Sequence, residues 1–494
     1  MRPAQKKLDR KVEILDSFIR MEKAEPSLVD NFFYNGAFNA WPAVRLRMMQ
    51  NFSYSGEIDF SYYDDFIFYN FPCDYNICLS DATKNRLKRI KNNSLICITG
   101  DAYHSLNVEG VLWDQSIDPV FILAAQSGFY PIKMQLAENE KHARFIETLH
   151  IPCINYNKRN LDPDELQRRL PNYKDYLDAC LDYKVAPLHI SGIVQLCGFI
   201  NAYAEVYFDI FSIMKPSCVC LSNYYETLNH GVILACYRAG VPSIEFQHGR
   251  QTKHFGYTFG HLPPAGFELF PKWWFVWGEA PKQHLEKSLL NSSRHHVASA
   301  GHPLYSVWKK GKIKDDPILV KALQADAKNK KVILYTMSDG GKIERDMIPE
   351  LIRHSPDDWL WLIRDHPFFP TLHNVAFDER DMHKVNIDAA TQLNLFTVLS
   401  YTDHCVTYSS SSILESIYLF GIPCTMISDF LFNTDPEFYG SIDLLAVLSD
   451  VDSIMNRILR CPGSVDNVRS NIPYIINDVD SIGRMLKIAC ACEK

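Results

Sequence analysis

The sequence predicts an α/β protein made of two doubly wound, Rossmann-like domains that face a central cleft. Short apolar runs recur along the chain, each followed by a turn and a stretch with helical periodicity, and one charged segment separates two such series. Buried strands that alternate with helices are typical of parallel sheets. Ligands of such sheets bind at the carboxyl ends of the strands, so we expect a site in the cleft between the domains.

Composition and charge exclude several classes of protein. Of the 494 residues, 47% are hydrophobic and 22% are charged, which excludes disordered, collagen-like and coiled-coil chains. The formal charge of -7 offers no general attraction for a polyanion, and no nucleic-acid-binding module is recognisable, so we expect no nucleic acid partner. The 14 cysteines form no C-x-x-C pair and predict reduced thiols. The amino terminus has no secretory signal pattern, so we expect a cytoplasmic protein.

The first series of elements belongs to a predicted amino-terminal domain over residues 1–308. Its first 90 or so residues are rich in aromatic side chains and are assigned only to helix and short strands. Strands are expected at 95–101, 119–126, 151–156, 218–222 and 242–249. The apolar stretch Ile193–Met214 is interrupted by Asn201, Glu205 and Asp209, so it predicts a core helix with one polar stripe and not a membrane span.

The second series follows WKKGKIKDDP at 308–317, which predicts a solvated linker. It belongs to a predicted second domain over 318–470, followed by a helical tail over 471–494. Strands are expected at 331–336, 359–364, 384–387, 404–408 and 423–428, and helices at about 343–353, 391–401 and 412–420.

The most informative segment is VTYSSSSILESIYLFGIPCTMI. A buried strand ends at Tyr408, four serines follow, and a helix bearing Glu415 begins at once. Free N–H groups, the positive end of the helix dipole and several hydroxyls form a site suited to a phosphate, to which Ser409, Ser410 and Ser411 would contribute. The alternative is plain N-capping by Ser409 or Ser410, which needs one serine only.

Two neighbouring segments point to the same edge of the second sheet. WLWLIRDHPFF ends a strand with Arg364, His366 and Pro367, and an imidazole there can donate to a phosphate oxygen or protonate a leaving nucleotide. A solvent-facing or capping histidine is the alternative. The loop SDGGK contains Ser338, Gly340 and Gly341, whose backbone could approach the same anion closely.

The first domain offers a candidate base. GVPSIEFQHG places Gln247 and His248 at the carboxyl end of a strand, and a histidine of near-neutral pKa can remove a proton from an attacking hydroxyl. The alternative is that His248 only orders its loop. If it does, the first-domain acids Asp101, Asp114 and Glu226 are the next candidates for the base.

We expect no catalytic metal. The Asp-x-Asp patterns at 162–164, 450–452 and 478–480 each open a predicted helix, so capping explains them. The basic run KNRLKRIKNN at 84–93 is either a solvated helix face or a peripheral contact with anionic phospholipid at the inner face of the cytoplasmic membrane.

The motifs together resemble a known family. The order QHG…FGY, FVWGE, GHP, RDHP and YSSSSxxxE…GIP, over roughly residues 215–430, is similar to that of the two-domain GT-B glycosyltransferases that build bacterial surface polymers. CDP-glycerol glycerophosphotransferases, capsule Kdo transferases and HP-motif sialyltransferases share parts of it, and all use cytidine nucleotides. The acidic Asp/Glu-Asp/Glu-Gly motif of the sialyltransferases is missing, which argues against sialic acid as the donor sugar.

The resemblance implies that residues 1–308 form the acceptor-side domain and residues 318–470 the nucleotide-donor-binding domain, and it assigns roles to particular residues. It implies that His366 and Pro367 contact the donor phosphate, that Ser410 and Ser411 bind the same phosphate, and that Glu415 holds the ribose or base. His248 matches a histidine that is a proposed base in the glycerophosphotransferases.

The predicted function is transfer of a sugar or polyol phosphate from a CMP- or CDP-linked donor to a growing surface glycan. The resemblance implies a lipid-linked acceptor, and no cofactor is expected. The alternatives are a non-hydrolysing sugar-nucleotide epimerase of the same fold and a catalytically inactive polysaccharide-binding or scaffold subunit.

Overall fold

The computed structural model describes residues 3–55, 79–90, 95–99, 105–108, 111–136, 143–144, 146, 148–151, 161–251, 256–289, 292–338, 341–366, 371–429, 433, 435–461 and 473–491. The strands in chain order are β1 (Phe33–Tyr34), β2 (Phe38–Asn39), β3 (Leu95–Thr99), β4 (Ser105–Val108), β5 (Val111–Asp114), β6 (Tyr130–Leu136), β7 (Ala143–Arg144), β8 (Thr148–Ile151), β9 (Cys218–Leu221), β10 (Ser243–Phe246), β11 (Trp273–Val276), β12 (His296–Ser299), β13 (Lys331–Thr336), β14 (Trp359–Arg364), β15 (Val385–Asn386), β16 (His404–Thr407), β17 (Cys424–Met426) and β18 (Leu445–Val447).

The helices in chain order are α1 (Pro3–Ala24), α2 (Pro26–Asn31), α3 (Trp41–Ser55), α4 (Asp81–Leu87), α5 (Asp118–Gln126), α6 (Pro163–Arg169), α7 (Tyr173–Asp182), α8 (Ile190–Met214), α9 (Thr227–Ala239), α10 (Glu279–Leu289), α11 (Pro303–Lys309), α12 (Pro317–Ala327), α13 (Gly341–His354), α14 (Asp388–Gln392), α15 (Leu395–Leu399), α16 (Ser412–Phe420), α17 (Pro436–Gly440), α18 (Val451–Arg460) and α19 (Ser481–Ala491). Short 3-10 helices cover Leu372–Asn374 and Glu379–Lys384.

Two parallel sheets organise the described part of the chain. The first has the order β12-β11-β10-β9-β3-β6-β8, and the second has the order β15-β14-β13-β16-β17-β18. In both, the strand that comes first in sequence lies inside the sheet, so the chain builds outward on one side and then returns to the other. The two doubly wound sheets of the predicted GT-B architecture are therefore confirmed. The switch points lie between β3 and β9 and between β13 and β16, where the crevices for ligands form.

Burial of both faces of each sheet explains why the strands are short, continuous apolar runs in the sequence. The described residues of β9 and β16 are all buried, because helices cover both faces of each sheet. Side chains from the two halves share one cluster, in which Phe246 and Trp277 of the first half pack with Phe396 and Leu414 of the second. The two sheets are thus joined through apolar packing as well as through the chain.

Two expected elements are corrected, and a third lies mostly outside the described residues. Residues 119–126 form most of helix α5 and not a strand; Pro119 lies in the first helical turn, where its missing N–H costs nothing, and the neighbouring strand is β6. A short apolar run looks the same in a buried helix as in a buried strand. The helix expected over 391–401 is two short helices, because Asn394 accepts from the Phe396 N–H at 2.9 Å and starts α15 anew. Of the strand expected at 151–156, only Ile151 lies among the described residues, and it ends β8.

Helix α8 is the expected core helix. By length and composition it could span a membrane, but 56% of its most apolar window is buried inside the protein. Its polar stripe is paired: Arg238 donates to Glu205 at 2.9 Å and to Asn201 at 2.8 Å, and Lys84 lies 3.1 Å from Asp209. The carboxylates that interrupt the apolar run are therefore matched by cations of neighbouring helices.

The segment expected as a solvated linker is anchored to the second sheet. Its first residue, Trp308, belongs to α11 and donates through Nε1 to Thr397 Oγ1 at 2.8 Å. Asp315 accepts from the Asn394 N–H at 2.6 Å and from the Thr397 hydroxyl. The connection between the halves is thus held by hydrogen bonds at both of its ends.

Candidate functional site

Three polar residues lie in one row at the carboxyl edge of the second sheet. Strand pairing aligns Arg364 of β14 and Thr407 of β16 with the same residue of β13, Thr336. Two positions beyond each aligned residue the chain carries His366, Ser409 and Ser338, respectively. The row therefore crosses the switch point between β13 and β16.

Ser338 joins the two loops at the switch point. Its Oγ accepts from the Ser409 N–H at 3.1 Å, and its own N–H donates to Oε1 of Glu344 at 3.0 Å. Glu344 belongs to α13 and is buried, so the loop after β13 is held back against its own helix. Ser338 acts here as the junction between the two loops.

The serines before α16 divide between two tasks. Ser410 Oγ accepts from the Ser412 N–H at 3.3 Å and from the Ser412 hydroxyl at 3.0 Å, so it serves the helix start as the capping alternative requires. Ser411 occupies the N-cap position and makes no side-chain cap hydrogen bond. The amino end of α16, with its partial positive charge, and the Ser411 hydroxyl next to it together suit an anion.

Arg364 and Asp365 lie behind the row and shape it. The Arg364 guanidinium donates to the carbonyl oxygens of Ala390 and Leu393 at 2.6 and 2.7 Å, and burial lowers its pKa to about 10. Asp365 Oδ1 accepts from the N–H of His366 at 2.9 Å. These contacts fix the end of β14 and hence the backbone of His366.

Glu415 is paired across the cleft with a residue that the sequence analysis did not assign. His302 Nε2 lies 3.3 Å from Glu415 Oε1, and both side chains are largely buried. His302 Nδ1 accepts from the Tyr305 N–H at 3.3 Å, so Nε2 carries the proton and donates to Glu415. The ring stacks on Trp277 with centroids 4.2 Å apart. His302 lies in GHP, a second His-Pro doublet like that of RDHP, which is the only sequence signal for it.

The first sheet presents His248 at its carboxyl edge. His248 follows β10 by two residues, and its Nε2 lies 2.6 Å from the hydroxyl of Tyr225 in the loop after β9. Tyr225 is thus a neighbour of the candidate base that no sequence motif indicated. Glu226, the next residue, stands at the N-cap position of α9 without a side-chain cap hydrogen bond and is half-buried.

Both polar atoms of the Gln247 side chain are hydrogen-bonded inside the protein. Its Oε1 accepts from the Trp277 N–H at 2.6 Å, and its Nε2 donates to the Gly249 carbonyl at 2.7 Å and to the Tyr474 hydroxyl at 3.2 Å. Its own carbonyl accepts from Trp277 Nε1 at 2.8 Å. These contacts tie the ends of β10 and β11 together and leave Gln247 buried behind His248.

Asp114 lies in a buried charge cluster. Its Oδ1 accepts from the N–H groups of Ser116 and Ile117 at 3.0 and 3.1 Å, and its Oδ2 lies 3.8 Å from Lys133 Nζ. Lys133 also pairs directly with Asp118, whose pKa burial raises to about 6 despite that partner. Asp114 therefore stabilises the turn before α5 and lies close to the charge of Lys133.

Of the four remaining predicted residues, the structure describes Gly341. Gly341 begins α13 with a φ of +56°, a conformation that suits glycine. Asp101, Gly340 and Pro367 lie outside the described residues.

Two of the three Asp-x-Asp patterns act as helix caps, and in the third Asp478 accepts from the Asp480 N–H at 3.1 Å. Asp162 and Asp450 each accept from the backbone N–H three residues on, at 2.8 Å, so the capping prediction is confirmed for both. Within the described ranges, no group of three or more His, Cys, Asp or Glu side chains is placed to hold a metal ion.

Comparison with known proteins returned structures but no sequence family. No protein-family profile and no curated protein matches the chain. The UDP-GlcNAc 2-epimerase of Neisseria meningitidis bound to UDP-GlcNAc is similar at 15% identity and a TM-score of 0.48, over 80% of this chain and 99% of that one. The UDP-GlcNAc 2-epimerase of Methanocaldococcus jannaschii is similar at 10% identity and a TM-score of 0.45, over 80% and 98%.

A third similar structure is the wall teichoic acid polymerase TagF, at 11% identity and a TM-score of 0.42, over 83% of this chain and 88% of that one. All three are enzymes of the GT-B type. The fold assignment itself rests on the two parallel sheets and on the contact between His302 and Glu415 that joins their carboxyl edges.

Proposed function

We propose that the protein is a metal-independent transferase that moves a sugar or a polyol phosphate from a cytidine nucleotide to a hydroxyl of a surface glycan. The observation that carries the proposal is the row of His366, Ser338 and Ser409 across the switch point, next to Ser411, whose side chain makes no cap hydrogen bond. Hydroxyls, an imidazole and a helix amino end together can neutralise a nucleotide phosphate. The cytidine base is proposed on the resemblance of the motifs alone.

The reaction needs a base on one side of the cleft and a phosphate site on the other. In the proposed step, His248 accepts the proton of the acceptor hydroxyl as its oxygen bonds to the transferred group. The bond to the nucleotide breaks at the same centre, and its electrons stay on the leaving phosphate. His366 and the amino end of α16 stabilise the charge that develops there.

The epimerase alternative is less well supported by the first-domain acids. Such chemistry calls for several carboxylates that line the cleft, yet Asp114 is held by two backbone amides and by Lys133. Glu245 is fully buried within β10 and accepts from the Tyr257 hydroxyl at 2.6 Å. Glu226, the remaining acid considered among the described residues, is half-buried at the N-cap position of α9.

The test is a thermal-shift panel of CMP, CDP, UMP, UDP and GDP, followed by turnover on extracted bacterial glycan or glycolipid acceptor. A nucleotide that binds the native state alone raises the melting temperature by mass action. Cytidine nucleotides should give the largest rise, and product should form from a cytidine-linked donor. A preference for UDP would favour the epimerase, and nucleotide binding without turnover on acceptor would favour the scaffold subunit.

A further inference from the structure

The C-terminal segment returns from the second half of the chain and runs along the first sheet. The N–H of Glu279 donates to the Pro473 carbonyl at 3.0 Å, and the N–H of Ile476 donates to the Trp277 carbonyl at 2.9 Å. A Cβ on Gly278 would lie only 2.5 Å from the Tyr474 carbonyl oxygen. The glycine of FVWGE is therefore needed for the close approach of this returning segment.

Tyr474 of this segment holds the loop that carries His248. Its fully buried hydroxyl accepts from the Gln251 N–H at 2.8 Å and from Gln247 Nε2 at 3.2 Å, so it binds the chain on both sides of His248. Burial raises the pKa of Tyr474 well above its usual value, so the phenol stays neutral. Tyr225 is hydrogen-bonded to the imidazole itself, so His248 is held by its ring and by residues on both sides of it in the chain.

The ring of Tyr474 also touches the second half. Its centroid lies 6.2 Å from that of Tyr418 and 5.2 Å from that of Phe438. Tyr418 belongs to α16, whose amino end carries Ser411. One side chain therefore contacts both the loop of the candidate base and the helix of the candidate phosphate site.

We propose that Tyr474 is a positioning residue that sets His248 at a fixed place relative to the nucleotide-binding half. It acts through the 247–251 loop and touches no reacting atom. The proposal rests on the proposed transferase function for the role of His248, but the hold on the loop can be measured without any substrate.

The test compares Tyr474→Phe with Tyr176→Phe in the full chain. Tyr176 is a matched control, because its buried hydroxyl likewise accepts a backbone N–H, that of Leu188 at 2.7 Å, among the outer helices of the first half. Hydrogen exchange follows the Gln251 amide, and the ring signal of His248, assigned by loss in His248→Gln, is followed by carbon-13 NMR. CDP affinity and turnover are measured in parallel.

In Tyr474→Phe, exchange at Gln251 should quicken by about tenfold or more, since one buried hydrogen bond is lost. The His248 ring signal should shift, and turnover should fall at least about tenfold while CDP affinity changes less than about twofold. Tyr176→Phe should change none of the four readouts. The proposal is overturned if Gln251 exchange and the His248 signal match those of the control, or if turnover is kept while both change. If the unmodified protein binds no nucleotide, the transferase function fails, and the exchange and NMR results still decide whether Tyr474 holds His248.

Discussion

Replacing Ser411 by alanine separates ligand binding from helix capping. Ser411 makes no side-chain cap hydrogen bond, whereas Ser410 accepts from the backbone and side chain of Ser412. Ser411→Ala therefore removes no hydrogen bond from the described cap of α16 and should leave the melting temperature close to that of the unmodified protein. Ser410→Ala removes a cap, which typically costs about 0.5–2 kcal/mol of stability.

The expected effect of Ser411→Ala on CDP affinity is large by comparison. A hydrogen bond to a charged group contributes about 1.5–3 kcal/mol, which corresponds to a roughly 10- to 150-fold increase in Kd. The affinity is measured by calorimetric titration with CDP, and the melting temperature by differential scanning calorimetry. Ser453→Ala is the matched control, since this serine lies in the first turn of α18, where Asp450 provides the cap.

Two results would refute the reasoning. If a folded Ser411→Ala protein binds CDP as tightly as the unmodified one, the serine run serves the helix and not a phosphate. If Ser453→Ala weakens binding as much as Ser411→Ala does, the loss reflects the second sheet as a whole and not a contact at α16.

Three further predictions concern metal, the histidines and pH. The melting-temperature rise caused by CDP should be the same with EDTA as without it, because hydroxyls and His366 would replace a metal at the phosphate; a rise that requires magnesium or manganese contradicts this. His248→Ala should keep CDP affinity and lower turnover by ~10²–10⁴, the range for a lost general base. His366→Ala should lower turnover and also weaken CDP binding. Full activity of His248→Ala would remove His248 from the mechanism. Burial raises the pKa of Glu245 to about 8, so the folded state binds its proton more tightly than the unfolded state and loses up to ~1.4 kcal/mol of stability per pH unit from about pH 5 to 8. The Glu245→Gln protein has no carboxyl group to ionise at this position, so its stability relative to the unmodified protein should increase from pH 5 to 8. If the difference in free energy of unfolding between the two proteins stays constant over that range, Glu245 does not titrate as stated.

Local pattern was sufficient for much of the second sheet. The expected ranges 331–336 and 359–364 are the strands β13 and β14, and 412–420 is α16. Each is a strong apolar run bounded by turn residues, so the signal lies within the segment itself. The positions of Ser338, His366 and Ser409 just after β13, β14 and β16 were also predictable, because residues that follow neighbouring parallel strands share one edge whatever the order of the strands.

The tasks of individual side chains were decided by contacts between distant parts of the chain. His302 and Glu415 are 113 residues apart, and Gln247 and Tyr474 are 227 apart. Asp114 looked like a free acid in sequence and is bound by Lys133 of another strand. No local pattern encodes such pairs, because they exist only once both sheets have formed and the C-terminal segment has returned to the first of them. The residue types therefore predicted a phosphate-binding edge and a histidine base, whereas packing determined which of these side chains are bound to other parts of the chain.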